Sequence, residues 1–149
     1  MNNEWRTPDD LYQKLNEEFK FEFDCCANET NTKCLNWSNW IEEFAPTVEV
    51  NEHQSYWMNP PYSRDKIYSC MSSAVVLSGF EKTVVCLVRF DPSAKWFQDL
   101  VDGVAKEIRM LDRRVKFIGA PSAYNFPCCV VVYDGYQHDA TEYYIWGWK

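Results

Sequence analysis

Hydrophobic positions fall along the chain in blocks whose spacing alternates between helical and extended. Leu11, Leu15 and Phe19 recur at helical spacing behind Thr7-Pro8-Asp9-Asp10. Thr7 suits an N-cap, Pro8 the first helical position and the two acids the first turn, so a helix is predicted over 8–19. Phe21-Glu22-Phe23 alternates into Asp24, which predicts a short strand ending in an acid. Residues 28–46 are irregular and rich in Asn and Trp, and only short helical turns are assigned there. Ser55-Tyr56-Trp57-Met58 reads as a strand that stops at Asn59-Pro60-Pro61-Tyr62, because two prolines cannot continue a ladder. A helix over 65–78 follows, with Ile67, Met71, Ala74 and Val75 on one face. Thr83–Val88 is a continuous apolar run, which predicts a strand buried on both faces of a parallel sheet. Ser93–Gly103 reads as a helix closed by glycine, and Lys106–Met110, Val115–Ile118 and Cys128–Tyr133 as the remaining strands. Strand and helix alternate through the middle of the chain. The expected class is therefore α/β, a mainly parallel central sheet with a C-terminal antiparallel hairpin and an aromatic tail, 136–149, packed back on the body.

Composition changes this picture little. At 149 residues, 46% hydrophobic and 25% charged, the chain fits one globular domain, 1–149, with no linker, repeat or separate target-recognition unit. Aromatic residues make up 17%, enough to supply flat apolar faces as well as a core. No apolar run approaches the roughly 18 residues of a membrane span. The start, MNNEWRTPDD, lacks the basic and apolar segments of a signal peptide, so a cytoplasmic location is expected, with the seven cysteines as reduced thiols.

Charge changes it more. A net charge of −7 argues against a protein that coats nucleic acid through electrostatics alone. It leaves room for a local basic patch, and the one dense basic stretch is Lys106 to Lys116. Metal chemistry finds no support, since His53 and His138 stand alone and the cysteines lack paired C-x-x-C spacing. Gly-rich dinucleotide and P-loop patterns are absent.

The sharpest chemical signal is Asn59-Pro60-Pro61-Tyr62 at the carboxyl end of a strand, where ligands bind in open α/β sheets. An Asn side chain and a carbonyl fixed by prolines give two acceptors aimed at one point. An amino group with two hydrogens is the natural guest, and Tyr62 offers a face to a planar ring. The plain alternative is a strand-ending turn. Asp24 at a strand end reads as a ligand-binding acid or a turn aspartate, and Trp5, Thr7 and Pro8 as a pocket wall or a helix staple with its cap.

The tetrapeptide N-P-P-Y resembles the catalytic motif of adenine N6-methyltransferases. W-R-T-P at 5–8, F-x-F-D-x-x-A at 21–27 and N-x-K-C at 31–34 resemble the phage family of small DNA adenine methylases, the Dam type. V-V-C-L, K-W-F at 95–97, R-V-K-F at 114–117 and F-P-C-C-V-V-V at 126–132 follow in the same order. The turn Asp24-Cys25-Cys26-Ala27 has small residues where methyltransferases of this fold usually carry glycine, and Asp112-Arg113 stands where another glycine is usual. The resemblance implies a single-domain class I (Rossmann-like) fold, S-adenosylmethionine as cofactor and duplex DNA with an adenine-containing site as substrate. It implies a cofactor pocket of Trp5, Thr7, Pro8, Asp24, Ala27 and Asn59 beside a base pocket, with Asn59, Pro60, Pro61 and Tyr62 catalytic. Glu42 and Glu43 are candidates for the ribose. Arg64 and Lys66, which follow the motif, and Arg113 and Arg114, in an expected hairpin, are the candidate DNA contacts; an ordinary charged edge hairpin is the alternative for the latter pair. Monomer and homodimer both remain open. Two other functions stay in view: a protein glutamine N5-methyltransferase of the same fold, and a catalytically silent domain that binds DNA or cofactor.

Overall fold

A computed structural model describes residues 5–39, 41, 53–136 and 138–149. Among them run α1 (Asp9–Phe19), β1 (Phe23–Asp24), β2 (Asn36–Trp37), β3 (Ser55–Met58), α2 (Arg64–Ser78), β4 (Thr83–Arg89), α3 (Lys95–Leu100), β5 (Glu107–Leu111), β6 (Cys128–Tyr133) and β7 (Glu142–Trp146). The strands form one sheet in the order β2-β1-β3-β4-β6-β5-β7. β6 pairs antiparallel with both β4 and β5, and every other pairing is parallel, so all strands but β6 point the same way. The mixed α/β class with a mostly parallel sheet is as expected.

The core follows from the apolar runs. Val84 to Val88 and all of β6 are buried, as the central position of both strands requires. Ile67, Met71 and Ala74 bury the inner face of α2. Tyr12 of α1 meets Trp57 of β3 edge-on, with ring centroids 5.4 Å apart. Arg109, only 4% exposed, donates two hydrogen bonds to Glu18 at 2.8 and 2.6 Å and two to Glu107 at 3.0 and 2.8 Å, which binds α1 to β5.

The details depart from the sequence reading in four places, the first being the strand β2 (Asn36–Trp37), in a stretch where only short helical turns were expected. Pro8, not Thr7, is the N-cap of α1, with ψ at 140°, and Thr7 is buried with no side-chain cap bond. The helix expected over 93–103 spans only Lys95–Leu100; Gly103 has φ +77°, and its N–H donates to Thr141 Oγ1. Val115–Ile118 is not a strand. Both edges of β5 are already filled by β6 and β7, so this segment does not fold back on β5, and Ile118 exchanges a pair of backbone hydrogen bonds with Arg6 instead. The expected antiparallel hairpin towards the C-terminal end is present as the consecutive strands β5 and β6, with β6 inserted between β4 and β5 and β7 then placed parallel to β5. The aromatic tail does pack on the body, through β7 and buried Trp148.

Candidate active site

The site begins where β3 stops. Pro60 and Pro61 lack the N–H that a ladder requires, so the chain leaves the sheet at Asn59 and re-enters regular structure at α2, with Ser63 as its N-cap. Pro60, Pro61 and Tyr62 are buried. The Tyr62 hydroxyl donates to the Leu87 carbonyl at 3.0 Å, which ties the loop to the adjacent strand β4. Its ring meets Phe117 edge-on at 6.4 Å and Tyr124 at 5.8 Å, both from the loop 112–127. Burial holds the Tyr62 phenol well above its ordinary pKa, so it stays a donor. The Asn59 Oδ1 atom is buried without a hydrogen-bond partner. Such an acceptor costs about 1–3 kcal/mol, so it marks a place where a donor belongs.

Asn59 faces a recess of about 30 Å³, walled also by Trp5, Thr7, Asp24, Lys33 and Trp57. The recess opens into a groove of about 350 Å³ between Trp5, Arg6, Asn28, Asn31 and Gly119, sharing Trp5, Arg6 and Asn31 with it. The backbone pair between Arg6 and Ile118 brings the two walls of this groove together. Gly119 at φ +97° turns the chain there, a conformation a side chain would strain. Asp24 lies at the base. Its Oδ2 accepts the Lys33 N–H at 3.0 Å and its Oδ1 the Cys26 N–H at 3.4 Å. Burial pushes its carboxyl up to about 6, against those hydrogen bonds and the Lys33 charge.

Of the residues expected around the cofactor, the structure brings Trp5, Thr7, Asp24 and Asn59 together. Pro8 caps α1 instead, and Ala27 is buried behind the loop, its N–H on the Ser38 carbonyl at 2.9 Å. Glu42 and Glu43 lie outside the described residues. The groove and recess fit a nucleoside-sized cofactor with a charged end: the groove has the volume of a small-ligand pocket, and the recess holds both an unspent acceptor and a carboxylate.

On the other side of Tyr62 a cleft of about 580 Å³ opens between the first turns of α2 and α3, lined by Tyr68, Arg89, Asp91, Lys95 and Trp96. None of these was named from the sequence as a site residue, although Lys95 and Trp96 belong to the K-W-F segment of the resemblance. Their signal was Asp91-Pro92 directly after the longest apolar strand, a second carboxyl end beside the first. Arg64 opens α2 through its backbone, and Lys66 is half-buried in the first turn. Arg113 and Arg114 are exposed at the carboxyl end of β5, in the long connection of the β5–β6 hairpin rather than a tight hairpin with 115–118. Arg113 bonds the Asp112 carboxylate at 3.0 Å and lies over Trp148; Arg114 donates to the Asn125 carbonyl at 2.8 Å. Nor do the histidines stand alone: His53 lies 3.4 Å from Glu22 and His138 2.8 Å from Asp134.

A family model described as DNA N-6-adenine-methyltransferase (Dam) matches residues 1–136. The chain is 34% identical over 119 residues to the DNA N-6-adenine-methyltransferase of Haemophilus phage HP1 (strain HP1c1), across 76% of this chain and 65% of that relative. It thus spans 65% of the length of the relative it matches. The chain belongs to the DNA N-6-adenine-methyltransferase family.

Proposed function

We propose that this member of the family methylates the N6 amino group of adenine in DNA, on a single-domain class I (Rossmann-like) fold, with S-adenosylmethionine as methyl donor. The observation that carries the reading is the buried, unpartnered Asn59 Oδ1 at the carboxyl end of β3, on a recess that shares Trp5, Arg6 and Asn31 with a nucleoside-sized groove. Adenine in a duplex is stacked, so it must leave the helix to meet that atom. Asn59 Oδ1 and the Pro60 carbonyl would accept the two amino hydrogens and free the nitrogen lone pair. Tyr62, fixed by Leu87, Phe117 and Tyr124, would present its ring to the base. S-adenosylmethionine supplies an electrophilic methyl group on a sulfonium. Trp5, Thr7 and Asp24 would hold it, with the Asp24 carboxylate opposite its ammonium group. Pro61 holds the shape of the turn, while Pro8 and Ala27 would support the pocket from behind. No base is needed before attack, because the nitrogen gives up its proton after it becomes cationic. Positioning and preorganised acceptors therefore carry the rate. Arg64, Lys66, Arg113 and Arg114 would meet the phosphates.

Transfer of labelled methyl groups from S-adenosylmethionine to unmethylated genomic DNA, compared with poly(dG)·poly(dC), tests the reading. Incorporation into the first polymer alone, recovered as N6-methyladenine, is the expected result. Equal incorporation into both, or none into either, overturns it.

A further inference from the structure

Among the described residues, three buried side-chain nitrogen or oxygen atoms lack a hydrogen-bond partner: Asn59 Oδ1, Arg89 Nε and Trp148 Nε1. Two of them sit on neighbouring strand ends. β3 and β4 run parallel with Met58 opposite Cys86, so Asn59 comes level with Leu87, two residues before Arg89. Tyr62, three residues after Asn59, sets its hydroxyl on the Leu87 carbonyl and lines one cleft with Arg89. One orphan is an acceptor and the other a donor.

The Arg89 guanidinium has the Tyr124 hydroxyl as a hydrogen-bond partner, yet its Nε is left unsatisfied. Its guanidinium carbon lies 3.9 Å from the centroid of the Phe126 ring, which fixes the plane of the group. The nearest carboxylate oxygen, Asp91 Oδ2, is 3.9 Å from Nη2, beyond hydrogen-bond distance, and Asp91 Oδ1 already accepts from the Ser93 hydroxyl at 2.8 Å. The side chain lines the cleft of about 580 Å³ beside Tyr62, with Trp96 in the same wall. A guest that reached from Asn59 to Arg89 and answered both orphans would carry an amino donor next to an acceptor. A phosphate answers only Arg89, since it brings no donor for Asn59.

We infer that Arg89 is a specificity-determining residue that donates a hydrogen bond to a ring nitrogen flanking the amino group of the target adenine, N1 or N7. This rests on the adenine reading above. It makes recognition of the base a matter of two strands, β3 holding the amino group and β4 the ring.

The test uses oligonucleotides whose target adenine has been located by sequencing DNA that the enzyme methylates. That adenine is replaced by 1-deazaadenine or 7-deazaadenine, and kcat/KM is measured for the wild type and for Arg89→Met. For the wild type, one replacement should cost about 10- to 100-fold, the effect of a hydrogen bond to a charged donor. Arg89→Met should lose as much on the natural base and be insensitive, within about threefold, to that same replacement, because the two changes remove one interaction. S-adenosylmethionine affinity should be unchanged. Equal losses in both enzymes, or a smaller salt dependence of DNA binding in Arg89→Met without coupling to either analogue, overturn the assignment in favour of a phosphate contact. Should the variant fail to fold, the wild type decides: indifference to both analogues overturns the inference. Sequencing that finds no methylated adenine in DNA exposed to the enzyme refutes the adenine reading itself, a different outcome from additive losses in an active enzyme.

Discussion

The Tyr62 hydroxyl and the Leu87 carbonyl, 3.0 Å apart, join the loop after β3 to the middle of the next strand. The ring is thereby held edge-on to Phe117, in a position its own short loop does not dictate. Tyr62→Phe should keep the ring and lose only that bond. A stability loss of about 1 kcal/mol with turnover within a few-fold of wild type is expected. Tyr62→Ala should also remove the stacking face and cost turnover at least tenfold. Chemical denaturation and steady-state rates check the pair, and equal activity of the two variants would remove the ring from the reaction.

Asn59 separates stability from function. Its Oδ1 is buried and unpaired, so Asn59→Ala should leave the melting temperature unchanged or raise it. Turnover should fall by about 100-fold or more, the cost of one preorganised polar contact at a reacting centre. S-adenosylmethionine affinity, read by calorimetry, should move far less. Near-normal turnover would return Asn59 to the status of a turn residue.

Asp24 makes both stability and cofactor binding depend on pH. Burial raises its folded pKa to about 6 from an ordinary value of 3.8. Between these values the folded state binds the proton and the unfolded state does not. Its contribution therefore favours folding at low pH, weakens as pH rises through that window and is an added cost, of order 1–3 kcal/mol, above about pH 6. Asp24→Asn should flatten the fall in stability between pH 4 and 6.5. Affinity for the cofactor ammonium should run the other way, weakening as pH drops below about 6 and the carboxylate is lost. Calorimetric titrations at pH 5 and pH 7.5 read this directly; identical affinities would move the ammonium elsewhere.

Arg113 and Arg114 share the carboxyl end of β5 but are held differently, one on the Asp112 carboxylate and one on the Asn125 carbonyl. The double change Arg113→Ala, Arg114→Ala should shallow the salt dependence of DNA binding by roughly one to two units of slope. Arg114→Ala should account for most of it, since Arg113 already faces a counter-charge. Cofactor affinity should be untouched. An unchanged slope in fluorescence anisotropy titrations would move the phosphate contacts to another face.

Groups that act through local chemistry were legible in the chain. The prolines after Met58 had to end a strand, the apolar run of β4 had to be buried, and the β6 boundaries, Cys128 to Tyr133, match their apolar run. The grouping of Asn59 and Asp24 followed from two strand ends and the resemblance of their motifs. What neighbouring residues cannot encode is which edge of a strand is free. Val115–Ile118 has the composition of a strand, but both edges of its neighbour β5 are filled by β6 and β7, and Ile118 pairs with Arg6 instead. Thr7 likewise had the chemistry of a cap, yet Pro8 took that place and Thr7 turned into the recess with Asp24. Arg89 lacked a motif of its own in the sequence. Its lone Nε, its ring partner Phe126 and its nearness to Asn59 come from β4 pairing with β3 on one side and β6 on the other. Periodicity and backbone chemistry act over a few residues and were determined by the sequence directly; the burial of Asn59 Oδ1 and the setting of Arg89 depend on long-range strand pairing, and only the tertiary structure decided them.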